Sequence, residues 1–144
     1  MSEKILSLLG LMRKANAIEI GETNTGAAVR GGKAKLLLLA ADSSDNARHR
    51  AEGFAAGRGV QMIRLPFTKE EVSAGVGASG CSMAAVTDMG FANALMKLLA
   101  ESWPDDYAGQ AAETAQRFLK AGKRRTEAAA HERNKRIGKR RTNA

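Results

Sequence analysis

Apolar and polar positions alternate along this chain in two distinct rhythms. Ile5, Leu8, Leu9 and Met12 recur at i, i+3, i+4 and i+7, which lays an apolar face along a helix over about residues 2–15. Ala17 to Ile20 reads as a short strand, Gly21 allows a tight turn, and residues 22–31 read as a second helix closed by Gly31 and Gly32. Leu36-Leu37-Leu38-Leu39, within Lys35 to Ala41, is an unbroken apolar run of strand length, the pattern of a strand covered on both faces. Ser43 or Ser44 can cap a third helix to about Ala56, ended by Gly57 and Gly59. Val60, Met62, Ile63 and Leu65 form the next strand, which Pro66 stops. Thr68 caps a short helix through Val72, Ser82 to Thr87 is a strand, and Asp88 caps a last helix with Phe91, Ala94, Leu95, Leu98 and Leu99 on one face. Strands that alternate with helices predict an α/β fold. The expected form is a three-layer α-β-α sandwich whose small sheet has about four strands, mixed or mostly parallel.

The rhythm changes near Trp103-Pro104, so residues 1–102 are read as one domain and residues 103–144 as a basic C-terminal extension. In residues 105–121, Tyr107, Ala111, Ala115, Phe118 and Leu119 make a thin helical stripe, with Asp105 and Asp106 favourable at its positive end. Gly122 is expected to interrupt that helix, with disorder, or helix formed on RNA, beyond it.

Charge sharpens this division. The 144 residues carry 23 Lys and Arg against 15 Asp and Glu, a net +8. Residues 1–102 hold 12 basic and 10 acidic side chains, whereas residues 103–144 hold 11 and 5, every one of the 11 from Arg117 onward. A dense basic run such as Lys123-Arg124-Arg125 points to phosphate contact, the plainer reading being a solvated segment. With no aromatic residue after Phe118, the extension can neutralise phosphates but has little means of reading bases.

Little else in the sequence carries chemistry. The lone Cys81 permits no internal disulfide, and one Cys with His49 and His131 cannot close a structural zinc site. This composition suits a reducing, cytoplasmic setting. No stretch approaches the roughly 20 apolar residues of a membrane span. Ala15-Asn16-Ala17 imitates a signal-peptidase site, but Arg13-Lys14 directly before it favours an amphipathic first helix. Gly75, Gly77 and Gly80 match the dinucleotide-binding spacing, yet a helix precedes them and a strand follows, the reverse of what that motif needs. Those glycines read instead as a loop whose backbone can approach something closely. Cys81 reads as a small core residue and His49 as a surface residue. Glu70-Glu71 and Asp105-Asp106 read as first-turn acids that favour the helix dipole. No catalytic constellation, metal set or cofactor motif emerges, so an enzyme is not expected.

The Gly21 turn remains. Helix N-termini present unpaired N–H groups to anions, and Thr23, Asn24 and Thr25 can hydrogen-bond base edges or 2′-hydroxyls. Capping explains Thr23 or Asn24 alone equally well. Lys33 and Lys35 follow at the helix end.

Gly21, then Val29-Arg30, then Gly32-Lys33-Ala34-Lys35-Leu36 through Ala40-Ala41-Asp42, resembles the ribosomal L-seven-Ae / L-thirty-e family. Gly59-Val60, Pro66 with Thr68-Lys69-Glu70-Glu71-Val72, and Gly77 fall in the family's order. Asp88-Met89-Gly90-Phe91-Ala92 with Leu95 is similar to its bacterial, YlxQ-like branch. The likeness covers about residues 3–100. It implies an α-β-α sandwich that binds RNA, often a kink-turn, through two elements. By position these are Gly21, Glu22, Thr23, Asn24 and Ala27, and Gly77, Ala78, Ser79, Gly80 and Cys81. The two should lie side by side at one end of the sheet. This chain departs from the kink-turn pattern, with Thr23-Asn24 where an Asn-Glu pair is usual, Ala27 where a Lys is usual, and only Ala78, Ser79 and Gly80 at the usual apolar prong.

The resulting expectation is a non-catalytic, cytoplasmic RNA-binding protein of ribosomal or ribosome-associated type, monomeric and free of cofactor, that recognises a bent or internal-loop RNA. Lys33 and the tail residues Lys123, Arg124 and Arg125 would add phosphate contacts. The competing expectation is a protein-interaction module docking on a translation or ribosome-assembly factor, motivated by the nearly neutral body.

Overall fold

The computed structural model describes residues 2–142, without the side chains of Arg125, Glu127, Ala128 and residues 133–142. The elements follow in the order α1 (Ser2–Lys14), β1 (Ile18–Ile20), α2 (Glu22–Arg30), β2 (Leu36–Leu39), α3 (Asp45–Ala55), β3 (Gln61–Arg64), α4 (Lys69–Val76), β4 (Met83–Val86), α5 (Met89–Ser102) and α6 (Pro104–Thr142). Their starts are chemically marked. Ser44 Oγ accepts from Ala47 N–H at 3.1 Å and Asp88 Oδ2 from Phe91 N–H at 2.9 Å. Thr68 and Glu71 satisfy each other's backbone amides in a capping box.

The four strands form one mixed sheet in the order β1-β4-β2-β3. β2 pairs with β3 in parallel, and β4 runs antiparallel to both β1 and β2. The sheet is therefore not mostly parallel. The connection through α4 leaves and re-enters at the same end of the sheet, so β4 must run against β3. Leu36 and Leu38 face a core shared with α1, α4 and α5, while Leu37 and Leu39 face α2 and α3, so the leucine run is buried on both faces as its pattern requires.

Gly75 and Gly10 work as a packing pair. A Cβ on Gly10 would lie 3.0 Å from the Gly75 carbonyl oxygen, so α1 and α4 touch backbone to backbone there. The glycine spacing thus serves helix packing and a turn, with α4 before it and β4 after it, as the inverted order indicated. Replacing Gly10 with Val is expected to cost about 1–3 kcal/mol, because backbone cannot move aside as a side chain can. An unchanged urea midpoint would contradict that contact.

The helix beyond Trp103 differs from expectation. Its backbone stays helical through Gly122 to Thr142. One glycine costs about 1 kcal/mol, which the surrounding Ala, Lys, Arg and Glu offset. Its first turns lie along β3, the outer strand. Gln110 Nε2 donates to the Met62 carbonyl at 3.1 Å, the Tyr107 hydroxyl donates to the Arg64 carbonyl, and Thr114 Oγ1 donates to Gln61 Oε1 at 2.8 Å. Burial raises the Tyr107 phenol above its ordinary pKa, so it stays a donor. The Trp103 ring meets Phe67 edge to face, 6.2 Å between centroids.

Candidate functional site

One end of the sheet, the near pole, is built by Gly21 and by the turn between α4 and β4. Gly21 has φ 90° and ψ 162°, a conformation open in practice to glycine alone. That conformation turns the chain from β1 directly into α2. The Gly21 amide donates to the Met83 carbonyl at 3.0 Å, which ties the start of α2 to the first residue of β4. The second segment is held tightly. Gly77 closes α4 in the left-handed region at φ 70°, Gly80 has φ 69°, and Ser73 Oγ accepts from the Cys81 amide at 2.8 Å. The two segments flagged in the sequence therefore sit side by side.

The residues at this pole differ in what they expose. Thr23, Asn24 and Ala27 are open to solvent, as are Gly77, Ser79 and Gly80, while Ala78 packs partly against the core. Asn24 Nδ2 donates to the Ile20 carbonyl at 2.9 Å, which leaves its amide oxygen outward. Thr25 is fully buried and cannot reach a ligand, contrary to expectation, because its place in α2 faces the sheet. Glu22 is held by Arg50 of α3, with Nη1 2.8 and 2.9 Å from the two carboxylate oxygens. Cys81 is buried, and desolvation raises its thiol pKa despite the nearby Gly21 and Met83 backbone, which makes it a core residue and a poor nucleophile.

Two cations at this site were not anticipated. Arg13 donates to the Val76 carbonyl at 3.2 Å, just before the second segment, and Arg50 reaches Glu22 across α3. Only the basic last turn of α1 hinted at the first. A hollow of about 370 Å³ beside Ser79 and Gly80 is lined also by Asp42, Lys69, Glu70 and Ser73. Acids and bases nearly balance here, so this pole offers hydrogen bonds and shape more than field.

Lys33 is not part of this cleft. It follows the C-terminal end of α2, beside Lys35, whose amide donates to the Val86 carbonyl at the opposite end of β4. The nine residues of α2 put about 14 Å between the two ends. Arg124 belongs to that far pole as well, where it lines a hollow with Lys35. Lys123 is exposed on the same turn of α6, and the side chain of Arg125 lies outside the described residues. Among the described residues no group of three metal-ligating side chains gathers, and no helix is long and apolar enough to cross a membrane.

No family model matches the chain. Among solved structures, a protein of unknown function from Bacillus halodurans superposes with a TM-score of 0.62 at 24% identity, over 67% of this chain and 96% of that one. The Giardia lamblia 15.5kD RNA binding protein does so with a TM-score of 0.55 at 20% identity, over 69% and 85%. Both share the fold. The RNA-binding protein YlxQ of Enterococcus faecium is 28% identical over 97 residues, 67% of this chain and 92% of that protein. The RNA-binding protein YlxQ of Bacillus subtilis is 33% identical over 96 residues, 64% of this chain and 91% of that protein. A third of the aligned residues shared across nearly all of a relative place this chain in the family of the YlxQ proteins.

Proposed function

We propose that this protein is a non-catalytic RNA-binding protein of ribosomal or ribosome-associated type, cytoplasmic and monomeric, which recognises a bent or internal-loop RNA of kink-turn-like shape at the near pole. The observation that carries this reading is the bond from the Gly21 amide to the Met83 carbonyl, which ties the start of α2 to the strand that the 77–80 segment leads into. Exposed Thr23, Asn24 and Ser79 offer donors and acceptors to base edges and 2′-hydroxyls, and the glycine backbones let RNA approach closely. The names of the YlxQ relatives and of the Giardia protein support RNA binding. The basic face of α6 adds phosphate contacts.

Ala27 tests it. The residue is exposed one turn into α2, so substitution there changes charge without disturbing packing. Ala27→Glu is expected to weaken binding to an internal-loop RNA about tenfold, and Ala27→Lys to strengthen it several-fold, through one charge-assisted contact. Both variants should melt with the parent. Equal affinities for all three proteins would remove α2 from the interface. The near balance of charge at this pole favours a second reading, docking of a translation or assembly factor. Retention of a protein partner by an Ala27→Glu variant with no RNA affinity would establish it.

A further inference from the structure

At the far pole, α6 and the body enclose a hollow of about 390 Å³. Among the described residues, five cations line it: Lys35 before β2, Arg58 before β3, and Arg117, Lys120 and Arg124 on α6. No carboxylate is among the described lining residues. Arg117 is braced, donating to the Gly59 carbonyl and to Glu113 of its own helix at 2.5 Å each. Lys35, Arg58 and Lys120 form no ion pair with any described side chain. A cleft of one sign walled by protein concentrates field and draws a polyanion.

The spacing identifies the anion. Arg117, Lys120 and Arg124 stand at i, i+3 and i+7, a rail of about 10 Å along one helix face. That length matches about three successive phosphates along one strand of a duplex. No aromatic side chain lines the hollow, so nothing there stacks on an unpaired base. These features fit the backbone of a paired stem and leave base identity unread.

We propose that this groove is a second RNA site, one that grips the sugar-phosphate backbone of a stem. Resting on the near-pole reading for its choice of RNA as the polyanion, it makes the protein a clamp between two RNA segments on opposite ends of one sheet. The near pole reads shape through hydrogen bonds, and the far pole supplies most of the salt-dependent affinity.

The test uses the full chain and a plain RNA duplex of about 20 base pairs without an internal loop. Arg58 and Lys120 are exposed, so reversing both leaves the core intact. The double variant R58E/K120E is expected to weaken duplex binding at least tenfold and to flatten the salt dependence by about two units of slope. Ala27→Glu should leave duplex affinity within about twofold, whatever it does to an internal-loop RNA. The groove therefore stands or falls independently of the near-pole surface. The neutral pair R58Q/K120Q, expected to flatten the slope by about the same two units with a smaller loss of affinity, covers the case in which reversal disturbs folding. Unchanged duplex affinity in both double variants would overturn the proposal. So would an equal loss in Ala27→Glu, or displacement of the duplex by polyglutamate as effectively as by RNA, which would mark the groove as a dock for an acidic protein.

Discussion

Truncation after Gln116 is expected to flatten the salt dependence of RNA binding by about 4–5 units of slope, as loss of about six phosphate contacts requires. Raising salt from about 50 to about 200 mM should then weaken the full chain roughly 250–1000-fold more than the truncated one. The truncation removes all 11 cations of residues 103–144. It keeps the docking contacts of Tyr107, Gln110 and Thr114 on β3 but loses the Arg117 bond to Gly59 and the packing of Ala121, so the body should stay folded and melt somewhat lower. Fluorescence titration at four or five salt concentrations measures it. Parallel lines for the two proteins would exclude the extension from phosphate binding.

The second large effect is on stability. Leu37 is fully buried in β2, with β4 on one side and β3 on the other, in the cluster that α2 and α3 cover. Leu37→Ala is expected to cost about 2–5 kcal/mol, since strands hydrogen-bonded on both sides cannot collapse into the void. For a chain of this size, that lowers Tm by roughly 6–16 °C. Calorimetry reads it directly, and a shift under about 3 °C would show that the site relaxes freely. RNA affinity measured well below the new Tm should be unaffected, because Leu37 touches neither pole.

Much of this architecture was written locally. Thr68 and Asp88 cap the helices they were expected to cap, Ser44 is the one of two candidate serines that caps the third, and four consecutive leucines form the strand buried on both faces. Gly21 marks the hinge of the near pole because no other residue adopts its backbone angles at low cost. What local pattern could not reveal depends on partners distant in the chain. Strand direction hinges on where α4 returns, and Gly10 is small because the Gly75 carbonyl lies against it. Arg13 and Arg50 join the site only through packing, and Thr25 turns inward although its neighbours face out. The placement of Lys33 at the helix end, by contrast, was legible. Three residues beyond α2 in sequence, it stands at the end opposite the hinge because the whole helix intervenes. The continuity of α6 through Gly122 arose from the sum of good helix formers on both sides, which a single breaker does not cancel.

The side chains that fasten α6 to β3 have a consequence for self-association. A free outer strand is a template on which another extended chain can add, and the first step toward fibres or swapped dimers is such an addition. Here Gln110 and Tyr107 already occupy the outward carbonyls of Met62 and Arg64. The opposite margin, β1, is only three residues long, too short to nucleate much pairing. The helix that carries the cations is thus also the cover that keeps copies of the chain from polymerising through their sheets. Loss of its first turns would threaten solubility before it threatened RNA binding.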